Sequence, residues 1–183
     1  MKKAVLLFMI ISAAVLICSC SGGEKGGSSL PDRSEPSESV LHIEGANDID
    51  YTVISSEKGY RIGYDAEHFE YVSGTTDVFS SQSSGSSLEI SLSGGKTVDN
   101  SADEYISALK SDGYTVTSPE SIAVGTEFYS SRHFTAEKSG EREECYFIPV
   151  ENECLIMIFD INTAVDDSQS DILLGMLETL TIN

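Results

Sequence analysis

Hydrophobic and polar positions divide the chain sharply at its start. Lys2 and Lys3 precede residues 4–17, fourteen positions of which only Ser12 is polar, and Ile17-Cys18-Ser19-Cys20-Ser21 follows. The apolar run falls short of the roughly 18 residues that a membrane-spanning helix requires, and basic residues before it with a small residue before a cut are the features of an export signal. The pattern then empties: of the nineteen residues 21–39, twelve are Ser, Gly or Pro, and Leu30 is the only large apolar side chain. Such a segment has little to bury and reads as a tether with a span on the order of 25 Å. Residues 1–19 are therefore read as a signal peptide, 20–45 as a flexible tether and 46–183 as one folded domain.

Within that domain, short stretches alternate apolar and polar side chains. Residues 51–55, 60–64, 78–82 and 88–92 predict half-buried strands, and Gly94-Gly95 ends the last of them. Ser101 and Glu104 form a capping box ahead of Ala102, Tyr105, Ile106 and Leu109 at helical spacing, with Gly113 placed to close a helix over 102–112. Strands follow at 114–117, 121–124 and 127–137. Residues 142–150 and 154–161 flank Glu151-Asn152, and their nearly unbroken apolar character predicts a central hairpin covered on both faces. A last helix over 168–178 lines up Ile172, Leu173, Met176, Leu177 and Leu180. The class expected is α+β, a mostly antiparallel sheet with two helices packed on one side.

Charge narrows the partners. The chain has 30 acidic residues against 11 basic ones, a net charge of −19, and only Lys2 and Lys3 of the basic ones precede Ser19. The mature chain is thus more acidic still, offers almost nothing to neutralise phosphates, and is not expected to bind nucleic acid. It would be repelled by anionic lipid and drawn to cationic partners or dissolved cations, although solubility alone is an ordinary reason for such charge.

The end of the export signal resembles the lipobox of bacterial lipoproteins, in which an aliphatic residue stands three before, and a small residue one before, a lipidated Cys. Cys20 has Ile17 and Ser19 at those places, whereas Cys18 has bulky Ile17 immediately before it. The resemblance implies lipid attachment at Cys20 and a domain facing the extracytoplasmic side of the cell membrane. At about 0.8 kcal/mol per buried methylene, more than one acyl chain holds a protein on a bilayer. A second resemblance rests on the order of elements. The strand ending in Tyr60-Arg-Ile-Gly-Tyr-Asp65-Ala-Glu-His-Phe69, the helix closed by Gly113, the long hairpin and the final helix with Leu177-Glu-Thr-Leu180 together look like the PsbP-like fold. That family, named after an extrinsic subunit of photosystem II, includes small bacterial lipoproteins, and its understood members are accessory or assembly proteins. The resemblance implies no particular site residue.

No motif calls for catalysis. Gly95-Lys96-Thr97 lacks the first glycine of a phosphate-binding loop, since Ile90 stands there, and Ser107-Ala-Leu-Lys110 matches S-x-x-K only in mid-helix without its partner motifs. His42, His68 and His133 have no second ligand at metal-binding spacing, so neither a zinc site nor any cofactor is expected. Asn162, Asp166, Asp167 and Asp171 make the best calcium-like group, but their pattern is not that of a recognised loop, and carboxylates that cap and charge the first turn of the last helix are the favoured reading, with no metal. Glu141, Glu143 and Glu144 read as a solvated hairpin end.

Cys145 and Cys154 remain after processing, in a compartment that permits disulfides. A two-residue turn at Glu151-Asn152 sets Cys145 opposite Ile158 and Cys154 opposite Pro149, about 13 Å apart along the strands at the strand rise per residue and out of bonding range. A turn at Pro149-Val150 would set the two cysteines directly opposite each other. The first register matches the apolar runs better and favours unpaired thiols. The reading that follows is a lipid-anchored, non-enzymatic binding or accessory module for a protein or cell-surface component. The alternative is a small-ligand or cation-binding lipoprotein, with Tyr129, His133, Asp166 and Asp167 as candidate ligand residues.

Overall fold

The computed structural model describes residues 39–43, 49–165 and 168–183. Alternation turns most of them into strands: β1 Ser39–Ile43, β2 Ile49–Ser56, β3 Tyr60–Tyr64, β4 Phe69–Val72, β5 Asp77–Ser81 and β6 Ser87–Leu92. Helix α1 spans Val98–Ser111, and β7 Thr115–Val116, β8 Glu120–Val124, β9 Tyr129–Lys138, β10 Glu141–Val150 and β11 Glu153–Asn162 follow. Helix α2, Ser168–Glu178, and the short strand β12, Thr181–Ile182, close the chain. A four-stranded sheet runs β1-β2-β3-β12, and an eight-stranded one runs β4-β5-β6-β11-β10-β9-β7 with β8 also on β9. Every ladder is antiparallel. The protein is therefore α+β with mostly antiparallel sheets and two helices. Strand β1 lies within the stretch that composition assigns to the tether.

The two helices do not share a side of the sheet, contrary to expectation. Alternate residues of β10 and β11 point to opposite faces. Cys145, Phe147 and Cys154 join Phe134, Ala136, Ala102 and Leu109 in a core under α1. Tyr146, Ile148, Leu155, Met157 and Phe159 instead meet Leu173, Met176 and Leu177 of α2, together with Tyr51, Ile54 and Ile62 of the small sheet. Both faces of the central hairpin are apolar, so each needs its own cover, and one helix serves each. The hairpin register pairs Cys145 with Ile158 and Cys154 with Pro149, as the two-residue turn requires. Glu151 takes the left-handed conformation such turns demand, at φ 42°.

Helix α1 starts one turn earlier than its apparent capping box. Thr97 is the N-cap, its Oγ1 accepting from the Asn100 backbone N–H, and Ser101 lies inside the helix. At the other end the Tyr114 N–H reaches Leu109 O at 3.0 Å and the Gly113 N–H reaches Lys110 O at 3.2 Å, with Gly113 at φ 90°. This is the six-to-one and five-to-two closure that glycine permits. Arg132 of β9 clamps the first turns of α1 through Asp99 and Asp103, both at 2.8 Å, and Lys138 donates to Asp112 O at 2.9 Å.

Between the sheets, Asp77 is buried at 1% exposure and accepts from Ser56 Oγ at 2.6 Å, Tyr60 OH at 2.6 Å and Lys58 Nζ at 2.8 Å. It ties the β2–β3 turn of the small sheet to the first residue of β5 in the large one.

Candidate functional site

The site grows from the face of the large sheet that α1 only partly covers. On that face β10 presents Glu141, Glu143, Cys145 and Phe147, and β11 presents Cys154, Ile156, Ile158 and Asp160; β6 adds Glu89 and Ser91 through the pairs Glu89–Ile158 and Ser91–Ile156. Helix α1 sits over the Phe147 end. The other end stays open, with Glu89, Glu141 and Asp160 exposed and Ile158 and Glu143 half-buried.

Along the flank of α1 runs a groove of about 340 Å³ lined by Leu92, Ser101, Tyr105, Ala108, Phe147 and Ile156, with Lys96 and Glu104 at its rim. Those two rim residues pair with each other. Ser101 is 6% exposed, and its hydroxyl has no hydrogen-bond partner among the described residues. Buried hydroxyls are normally satisfied, so this one stands out.

Tyr105 joins the groove to the open end. Its ring packs against Phe147 at 6.1 Å and Phe134 at 6.5 Å, and its hydroxyl donates to Glu143 Oε2 at 2.9 Å. Burial, followed by the Glu143 charge, lifts the phenol well above its ordinary range, so it remains a donor. Burial also raises the Glu143 carboxyl, and the Asp160 and Glu141 charges add to that against the Tyr105 bond. Asp160 is raised by burial and by Glu141 and Glu89. Glu143 and Asp160 are direct cross-strand partners, an arrangement that costs stability for like charges. Among the described residues none of these four carboxylates enters an ion pair, whereas Asp65, Asp77, Asp99, Asp103, Glu104, Glu120 and Glu144 each have at least one.

This arrangement can receive a cation or a hydrogen-bond donor beside an apolar surface. The nearby thiols supply no nucleophile. Both are buried and free, and burial raises the Cys145 thiol far above its ordinary range and Cys154 to about 12.

The residues singled out from sequence take other parts. Tyr129 OH accepts from the Ile182 N–H at 3.0 Å and donates to Ile182 O, clasping β12. His133 lies on the opposite face, its ring tilted against Tyr146 with centroids 4.6 Å apart, with Nε2 2.8 Å from Glu144 and Nδ1 3.3 Å from Glu120. Burial lowers its pKa, but the two glutamates outweigh that and the net shift is upward, so this is a half-buried histidine with both ring nitrogens partnered. Asn162 is committed to Ser84 O and the Ala164 N–H. Asp166, Asp167 and Cys20 lie outside the described residues, as do the signal and most of the tether. His68 pairs with Asp65 at 2.7 Å. Among the described residues no three His, Cys, Asp or Glu converge closely enough to hold a metal ion. Nor is any described helix long and apolar enough to cross a membrane.

Sequence reasoning missed Glu89, Asp160 and the Ser101 groove, and grouped Glu144 with Glu141 and Glu143 although it faces the other way. The signal for part of this was present, because the Glu151-Asn152 turn already sets Glu143 opposite Asp160. No protein-family model matches the chain, and no curated protein matches it.

Proposed function

We propose that the chain is a membrane-anchored extracytoplasmic lipoprotein, PsbP-like in outline, that serves as a binding or accessory module and docks a protein or surface component on the α1 face of its large sheet. The lipobox-like residues around Cys20 support the anchor, and the tether composition supports a domain held clear of the headgroups. The observation that carries the docking reading is the open end of that face. Among the described residues Glu143 and Asp160 oppose each other across the central strands with no ion-pair partner, next to an apolar groove whose wall holds the Ser101 hydroxyl, itself without a described partner. Such local conflict costs stability in the free protein and is relieved by a bound partner.

A photoreactive amino acid placed at exposed Glu89 in intact cells, with one at exposed Glu57 as control, tests the reading. A stoichiometric adduct at Glu89 that is absent at Glu57, and lost in a released Cys20→Ser protein, is the expected result. Equal adducts at both positions, or none at Glu89, would overturn it.

A further inference from the structure

We infer that the groove beside α1 and the carboxylates beyond Tyr105 form one site, and that its occupant is a segment of a partner protein carrying a lysine or arginine next to a large apolar side chain. This deepens the binding-module reading and rests on it.

Three features converge on that chemistry. The first is continuity. Ser101 and Tyr105 stand one turn apart on the same face of α1, about 6 Å along its axis. Both line the groove, and Tyr105 then hands over to Glu143 through its hydroxyl at 2.9 Å. An apolar side chain of the occupant would lie on Phe147 and Ile156, and a basic one would extend past Tyr105.

Charge is the second. Glu89, Glu141, Glu143 and Asp160 come from three neighbouring strands and face the same way without a described ion pair; Glu141 already accepts from the Tyr114 hydroxyl at 2.8 Å and stands opposite Lys138, which leaves Glu89, Glu143 and Asp160 as the unbalanced charges. They do not converge on one point tightly enough for a metal ion, which suits an ammonium or guanidinium group that donates several hydrogen bonds. Half-buried Ile158 stands among them and offers an apolar seat for the methylene stem of such a side chain. The Lys96–Glu104 pair at the rim is neutral overall and does not cancel the cluster.

The third is Ser101, a donor 6% exposed with nothing to donate to among the described residues, at the groove wall where the occupant's backbone carbonyl would pass. A purely structural helix position would be served as well by alanine.

The test uses the mature lipidated protein in phosphatidylcholine nanodiscs and a fluorescent pentapeptide, Gly-Leu-Lys-Phe-Gly, read by anisotropy. Saturable binding is expected, weakened about tenfold by the Glu143→Gln/Asp160→Asn pair and about threefold by Ser101→Ala, in keeping with lost charge-assisted and neutral hydrogen bonds. The melting temperature should stay level or rise in both variants, because each removes a repulsion or an unsatisfied group. Affinity and stability moving in opposite directions is a signature that a structural role does not produce. If the double variant fails to fold, exposed Asp160→Asn alone must weaken binding. Absence of binding, undiminished binding to the variants, or equal binding of a peptide with both apolar residues replaced by glycine would each overturn the inference. If the peptide fails while crosslinking at Glu89 still traps a partner, this inference falls and the binding-module reading stands; if both fail, both fall.

Discussion

Replacing Asp77 with alanine removes the group on which the junction of the two sheets depends. The carboxylate is 1% exposed and takes three side-chain donors, from Ser56, Tyr60 and Lys58. Tyr60 is wholly buried, so its hydroxyl would lose this acceptor with no water to replace it, while Lys58 would keep Gly74 O at 2.7 Å. Breaking a buried ion pair from one side costs about 3–5 kcal/mol, and one stranded hydroxyl alone accounts for roughly 1–3 kcal/mol of that. At about 3 °C per kcal/mol for a domain of this size, melting should fall by about 9–15 °C. Urea unfolding of the Cys20→Ser chain, followed by circular dichroism, measures the loss, and Tyr60→Phe closes a double-mutant cycle with an expected coupling of about 1–2 kcal/mol. The pH dependence supplies a second check. Burial would raise the Asp77 carboxyl, but the Lys58, Ser56 and Tyr60 bonds outweigh it and hold it below its ordinary value of 3.8. Its stabilisation is therefore present above that value and lost as pH falls through the lower folded one, and Asp77→Asn should lack this acid-side slope. An Asp77→Ala protein within about 1 kcal/mol of the parent, a loss no larger than an ordinary surface substitution gives, would refute the reasoning.

Three further outcomes follow from the same structure. Gly125 lies at φ 73° where an added Cβ would meet Leu180 O at 2.6 Å, so Gly125→Ala should cost about 2–3 kcal/mol from the left-handed backbone and the clash together; an unchanged melting temperature contradicts this. Glu143 is held above its ordinary value of 4.5, so the folded chain binds that proton more tightly than the unfolded one, and its contribution to stability should grow as pH falls from the folded value toward 4.5. Glu143→Gln should be more stable than the parent at neutral pH, with the difference closing on acidification; a parent more stable than the variant at pH 7 would be the wrong sign. Cys145 and Cys154, buried and unpaired, should resist thiol reagents until urea unfolds the chain, and a non-reduced mass two units below the reduced one would show a disulfide instead.

Much of the fold was legible because its signals are local. The hairpin of β10 and β11 follows from two apolar runs around Glu151-Asn152, and its register follows from counting, which alone sets Cys145 opposite Ile158 and Glu143 opposite Asp160. The extent of α2 is legible for a similar reason, since its apolar stripe repeats at helical spacing. Strands β1, β4 and β12 are absent from the sequence reading: β1 lies in the stretch that composition assigns to the tether, and the four residues of β4 and two of β12 show no run of alternation. The start of α1 was misplaced because Ser101 and Glu104 imitate a capping box one turn inside a helix that Thr97 caps. Tyr129 and His133, candidate ligand residues by sequence, make hydrogen bonds to Ile182 and to Glu144 that only the tertiary structure brings within reach.

The sequence by itself determined the export and lipobox-like pattern ending at Cys20, the acidic excess, the strand alternation and the pairing of the central hairpin. Each depends on composition or on neighbours a few residues apart. Only the tertiary structure decided that α1 and α2 cover opposite faces, that Glu144 turns toward His133 while Glu143 turns toward Asp160, and that Ser101 meets the groove with no hydrogen-bond partner among the described residues. A period of two separates the faces of a strand but does not say which element will cover each, and that choice is made by packing between segments far apart in the chain.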